Sequence, residues 1–301
     1  MLNKIDSISA VLLFLLILGL PVFAGAGEIV VLKSADIQPY NEAVEGFMKS
    51  CRCNVREIVL NEADGRDILE KIRDADPEAV FAVGMDALNF SKTIGNVPVI
   101  YSMVPQSQSL SVAQQSASGV SMYISPEKFI AAILEVFPQA KKIGVIFDAR
   151  HSGSFVKDAD SACRARGIEL VAEKTSRPGD IPQLIDSMRG RIDVFLMVPD
   201  VTVINPESVK YLLLFSFRNK VPVFTFSRKY VEMGSAAGLY AAPYDMGLQA
   251  GEIVQTIVSE KNGKLIRADA RKTVLVINRK IINKLGIRVR GEVLGRAEYA
   301  D

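Results

Sequence analysis

The chain has 301 residues, 49% of them hydrophobic and 23% charged, with a formal net charge of +2. Scattered Lys and Arg at so small a net charge lack the basic footprint of a nucleic-acid binder. One histidine, three cysteines, and no Gly-rich phosphate loop or nucleophile motif leave no pattern for a metal cofactor, another cofactor or an enzyme.

Residues 1–26 read as a secretory signal peptide. Lys4 supplies the positive start, residues 8–23 the apolar stretch, and Ala24 and Ala26 an A-x-A type cleavage site. The apolar run is short for a span of about 20 residues, so cleavage is expected over an uncleaved anchor. No cysteine stands at the cleavage point to carry a lipid. The expected location is the periplasm, and residues 27–301 are long enough for two domains of about 100–150 residues each.

Strand-length apolar runs then alternate with helical patterns. Strands are predicted at 28–33, 55–60, 79–83 and 97–101, with helices at 41–51, 66–74 and 86–94 between them. Continuous runs such as "AVFAV" predict strands buried on both faces, hence a parallel sheet covered by helices. Cys51 and Cys53 close the first helix. Export permits a bridge between them and a separation of two residues opposes it, so both states stand. Cys163 reads as a buried small residue.

The polar stretch 105–118 fits neither period and predicts a loop or a domain crossing. Alternation then restarts with helices at 126–137, 154–166, 181–189 and 207–219, and strands at 142–147, 169–173, 192–197 and 221–224. The small-residue stretch 235–247 precedes a long helix at 244–259. A strand at 273–278 and a helix at 279–285 follow, and the basic residues of 288–291 read as a solvated terminus. The fold class is α/β, with two Rossmann-like lobes of parallel sheet joined by a hinge.

Four stretches resemble the ABC transporter substrate-binding protein family that includes the tryptophan-type binding proteins, within the type I periplasmic binding proteins. They are "YNEAVEGFMKSC", "GVSMYISPEKFIAAILEVFPQAKKIGVIFD", "VPVFTFSRKYVEMGSAAGLYAAPYDMGLQAGEIV" and "KTVLVINRKIINKLGI". The resemblance covers nearly all of the mature chain. It implies crossings near Gly119, near Pro243 and around residues 263–271. One lobe would then hold residues 27–119 with 244–264, and the other 120–243 with 265–301. It further implies a monomer that traps a small molecule between the lobes and presents it to an inner-membrane ABC permease. A periplasmic sensor docking to a membrane receptor shares these features and is the alternative.

Ligands of parallel α/β sheets are met at the carboxyl ends of the strands. In the first lobe this singles out Ser34, Asp36 and Tyr40, then Gly84, Met85 and Asp86, then Ser102 and Met103. Tyr40 offers a flat face, and Ser34 or Asp36 hydrogen bonds; otherwise Asp36 caps a solvated turn. In the second lobe the same rule gives Asp148, His151 and Ser152, then Pro199 and Asp200, then Phe226, with Tyr244 near a crossing. The run 147–154 leads into a helix N-terminus, which either holds a carboxylate or another anion or is an ordinary capped start. Many relatives carry an aromatic-Asp-Tyr-Tyr run where this chain has Ala241, Ala242, Pro243 and Tyr244. Ala242 cannot face a ligand ammonium, which weighs against an amino-acid ligand. Asp200 either takes that acidic role or caps its own loop.

Overall fold

A computed structural model describes residues 28–62, 64–105, 115–260 and 263–300. The leader assigned to residues 1–26 and most of the loop at 105–118 lie outside them.

The first unit opens with β1 (Glu28–Lys33), α1 (Gln38–Cys51), β2 (Asn54–Val59), α2 (Gly65–Ala75), β3 (Ala79–Val83), α3 (Met85–Ser91), β4 (Val99–Val104) and β5 (Ser118–Ser121). All five residues of β3 and all but Glu28 of β1 are buried, as a strand covered on both faces requires. Helix α1 lays Ala43, Val44 and Phe47 on the sheet, and the Phe47 ring stacks on Phe81 with centroids 4.1 Å apart. Cys51 and Cys53 are bridged, while Cys163 is free and buried, and burial pushes its thiol up to about 11.

The second unit runs through α4 (Pro126–Val136), β6 (Lys142–Phe147), α5 (Ala149–Arg164), β7 (Glu169–Lys174), α6 (Ile181–Ser187), β8 (Val194–Leu196), α7 (Pro206–Asn219), β9 (Val223–Thr225), α8 (Arg228–Glu232) and β10 (Ala237–Ala241). After it come α9 (Pro243–Glu260), β11 (Arg267–Asp269), β12 (Thr273–Ile277), α10 (Arg279–Leu285), α11 (Gly291–Arg296) and β13 (Glu298–Tyr299).

The strands form two sheets. One is ordered β11-β5-β4-β3-β1-β2 and is parallel throughout. The other is ordered β13-β12-β10-β9-β8-β6-β7, with β12 antiparallel to β10 and the remaining pairs parallel. These are the two α/β lobes expected from the sequence.

Helix α9 returns to the first lobe and packs backbone to backbone on α1. A β-carbon on Gly247 would lie 1.9 Å from the Ala43 carbonyl oxygen, and one on Gly46 1.9 Å from that of Tyr244. The Ser50 hydroxyl donates across this contact to the Leu248 carbonyl at 2.9 Å.

Three crossings join the lobes, at residues 122–125, 241–243 and 270–272. They run side by side: Ala270 N–H donates to the Ser121 carbonyl at 3.1 Å, and Ala242 N–H to that of Lys272 at 3.0 Å. Two differ from the boundaries expected above. Gly119 lies inside β5, so the first crossing follows Ser121. Residues 267–269 belong to the first lobe, because β11 pairs with β5 from Arg267↔Gly119 to Asp269↔Ser121. The Ser121 hydroxyl donates to Asp269 Oδ1 at 2.6 Å and secures that edge. Gln249 of α9 ties down the third crossing, accepting from Arg271 N–H at 3.1 Å and donating to the Asp269 carbonyl at 3.2 Å.

Candidate functional site

Strands β6 and β8 are neighbours, so the loops leaving their carboxyl ends lie side by side. Asp148 is the N-cap of α5 and is almost wholly buried. Its Oδ1 accepts Arg150 N–H at 3.0 Å, and its Oδ2 accepts the Arg150 guanidinium at 2.5 Å and the Thr202 hydroxyl at 2.9 Å. These donors, Arg150 foremost, hold its carboxyl well below the usual carboxylate range. Asp200 returns the contact from the other loop. Its Oδ2 accepts Asp148 N–H at 2.8 Å and the Ser152 hydroxyl, and its Oδ1 accepts Thr202 N–H at 3.0 Å. The Ser152 contact coincides with a kink in α5, where Ser152 leaves helical geometry at φ −130° and ψ 16°.

Above this lock sits a cavity of about 150 Å³. Its walls are Met122, Tyr123 and Ile124 of the first crossing, Phe129 of α4, and His151, Ser152, Ser154 and Phe155 of α5. Pro199, Phe226 and Ala241 close it from the second lobe and Pro105 from the first. The Phe129 ring meets Phe155 edge-on at 5.7 Å and Phe224 at 6.4 Å, and Phe226 meets Tyr230 at 5.5 Å. Among the described residues, none lining the cavity is a carboxylate. Its volume is below the ~300 Å³ usual for a small-molecule site, consistent with one half of a two-lobed cleft. A larger depression of about 740 Å³ lies at the amino ends of β4 and β5, the edge of the sheet opposite the ligand-facing loops.

In the first lobe Ser34, Tyr40 and Gly84 form one cluster. The Ser34 hydroxyl donates to the Val83 carbonyl at 3.0 Å and accepts Ala87 N–H at 2.9 Å, binding the β1 loop to the start of α3. Gly84 has φ 91°, and a β-carbon there would lie 2.6 Å from Ser34 Oγ and 2.7 Å from the Tyr40 hydroxyl, so only glycine fits. Burial, and then the Asp86 charge, push the Tyr40 phenol up. Asp36 faces outward, accepting from Asn41 at 2.9 Å and pairing with Lys33 at 3.3 Å, and both contacts lower its carboxyl. Lys33 is itself buried and also reaches Glu57 at 3.2 Å. Met85 and the exposed Asp86 begin α3, and Ser102 and Met103 are buried at the end of β4. Tyr244 is exposed at the start of α9.

Of the residues singled out in the sequence, His151, Ser152, Pro199 and Phe226 therefore meet around the cavity, with Asp148 and Asp200 beneath them. The first-lobe group lies apart from its lining. Sequence reasoning missed Met122, Tyr123 and Ile124 because a crossing has no pattern of its own. It missed Phe129 and Phe155 because aromatics at helical spacing read as core.

The family model of ABC transporter substrate-binding proteins matches residues 49–300. A tyrosine-binding protein of Clostridioides difficile strain R20291 is 24% identical over 230 residues, covering 75% of this chain and 65% of that protein. The chain thus spans just under two thirds of that relative's length. Among solved structures, the ligand-free, open form of a substrate-binding protein with adhesive properties from Clostridium difficile superposes with a TM-score of 0.73. It is 19% identical, with 91% of this chain and 99% of that one covered. A domain from Streptococcus pneumonia in complex with L-Trp gives a TM-score of 0.60 at 17% identity, with the same coverage. These structural likenesses are of fold. On the family match, the chain belongs to the ABC transporter substrate-binding proteins.

Proposed function

We propose that this protein, exported and released from its leader, captures a small aromatic-bodied solute between its lobes and delivers it to an ABC permease. The observation that carries the ligand class is the cavity lining: Phe129, Phe155 and Phe226 with Met122 and Ile124, and only a few polar groups among them, those of Tyr123, His151, Ser152 and Ser154. Flat rings bury large apolar area against such walls, and the few polar groups fix orientation. A relative named as tyrosine-binding and a similar fold holding L-Trp support aromatic amino acids as the first compounds to test. Ala242 and the carboxylate-free lining support a site that reads the ring more than the amino group.

The experiment is a thermal-shift screen of the mature chain against L-tyrosine, L-tryptophan, L-phenylalanine, their deaminated acids, polar amino acids, nucleosides and sugars. A ligand at 100 times its Kd adds about 2.7 kcal/mol. Upward shifts confined to compounds with an aromatic ring are expected. A shift with sugars or polar amino acids and none with aromatics sinks the ligand class.

A further inference from the structure

The second lobe carries an apolar groove that shares no residue with the cleft cavity. It is a shallow depression between α7 and α10, lined chiefly by Leu213, Leu214 and Phe217 of α7, Met233 after α8, and Ile281 and Leu285 of α10. Leu285 is buried, but Leu214, Phe217 and Met233 are 45%, 59% and 50% exposed. Large apolar side chains standing so far into water beside one another mark a contact surface.

The charges around the groove are almost all of one sign. Lys210 lines it, and Arg218 follows Leu214 by one helical turn. On α10, Lys284 stands one turn beyond Ile281, and Lys280 one turn before Lys284. All four cations are exposed, and none makes an ion pair with a described residue. Glu207 is the only acid of α7, α10 has none, and Glu232, beside Met233, is engaged by Arg228 at 2.9 Å. A chain of net charge +2 thus gathers unpaired cations around an exposed apolar strip.

This combination selects the occupant. A second copy docking by the same face would set these cations against their own equals across a two-fold axis. An anionic bilayer surface meets both halves of the pattern: apolar tips enter the boundary between headgroups and acyl chains, while Lys and Arg stay with the lipid phosphates.

We propose that the α7–α10 face of the second lobe docks on a bilayer surface rich in anionic phospholipid. Leu214, Phe217 and Met233 insert, and Lys210, Arg218, Lys280 and Lys284 pair with headgroups. The cavity lies on other residues, so the docked protein keeps it open to solute.

The test is co-sedimentation of the mature chain with vesicles of phosphatidylcholine, alone or with one third phosphatidylglycerol. Wild type should sediment with the anionic vesicles only, and raising the salt from about 0.05 M to about 0.5 M should release most of it. Lys280→Gln with Lys284→Gln should weaken partition about twentyfold, and Phe217→Ser about tenfold. Lys49→Gln with Lys71→Gln removes the same charge from exposed positions of the first lobe and should leave partition within about twofold of wild type. No sedimentation with anionic vesicles, equal sedimentation with both vesicle types, equal losses in the two lysine pairs, or wild-type partition of Phe217→Ser each overturns the proposal. A dimer in sedimentation equilibrium that Phe217→Ser dissociates, with no vesicle binding, would give the groove to a second copy instead. None of these outcomes bears on solute capture, which the thermal-shift screen tests by itself.

Discussion

The Asp200 carboxylate accepts the backbone N–H of Asp148 at 2.8 Å, and Thr202, two residues beyond Asp200, donates its hydroxyl back to the Asp148 carboxylate at 2.9 Å. Each loop thus caps the other, and both acids are buried under the cavity rather than within it. Asp200→Ala would strand the N–H groups of Asp148 and Thr202 and the Ser152 hydroxyl. A loss of about 2–4 kcal/mol in urea denaturation is expected. Affinity of the folded fraction for a compound that wild type binds should change by less than about threefold. Lost affinity at unchanged stability would instead place Asp200 against the ligand.

The same lock makes stability depend on acid. The Arg150 guanidinium, with the Arg150 N–H and Thr202, holds Asp148 below the ordinary carboxylate range. A group whose folded pKa is depressed stabilises the fold above its unfolded value, near 4, and loses that contribution as pH falls through the folded value. Wild type should therefore lose melting temperature between about pH 4 and pH 2, and Asp148→Asn should lose less over that interval while lying below wild type at pH 7. Arg150→Ala should move the acid limb to higher pH. Superimposable pH profiles for the three proteins would contradict this account.

Sequence pattern located the parts of the fold whose state depends on their own residues. The runs of β1 and β3 are apolar throughout, and burial on both faces demands that. The strands β5 ("SGVS") and β11 ("RAD") carry no such pattern; β5 is a strand because it pairs with β4, and β11 because it pairs with β5 at the sheet's edge. That pairing is also why the third crossing falls later in the chain than the resemblance implies. At the site, the rule that ligands meet strand ends picked out Asp148 and Asp200 but not their bond. Their union needs β6 beside β8, while chain order places β7 between them. The aromatic walls on α4 and α5 were illegible for a different reason: a phenylalanine facing a cleft and one facing a core obey the same helical spacing.

The α1–α9 contact should be among the least tolerant of change. A β-carbon at residue 247 would meet the Ala43 carbonyl oxygen at 1.9 Å and Phe47 N at 2.8 Å, both backbone atoms that cannot rotate away. Gly247→Ala should destabilise by about 1–3 kcal/mol or more, the range for overpacking a well-filled interior. Gly179, whose β-carbon would meet nothing within 4 Å, provides the control, with Gly179→Ala expected within about 0.5 kcal/mol of wild type. Urea denaturation of the two variants checks the contrast. Equal stabilities would mean that α9 stands off α1 in solution.

The cavity makes the sharpest prediction about recognition. Phe226 is half-buried, edges Tyr230 and faces the cavity, whereas Phe129 also packs on Phe155 and Phe224 and cannot be removed without disturbing the core. Phe226→Ala should therefore weaken binding of an aromatic solute about tenfold to hundredfold, or about 1.4–2.8 kcal/mol, with a smaller effect on stability. Because none of the described residues lining the cavity is a carboxylate, L-tyrosine and its deaminated analogue 3-(4-hydroxyphenyl)propionate should bind within about tenfold of each other. Titration calorimetry of both compounds on both proteins separates the two claims. A preference for the amine beyond about a hundredfold would bring a first-lobe carboxylate to the ligand when the lobes close. Asp86 is then the first to replace, since it is exposed at the start of α3, whereas Asp36 is already engaged by Lys33 and Asn41.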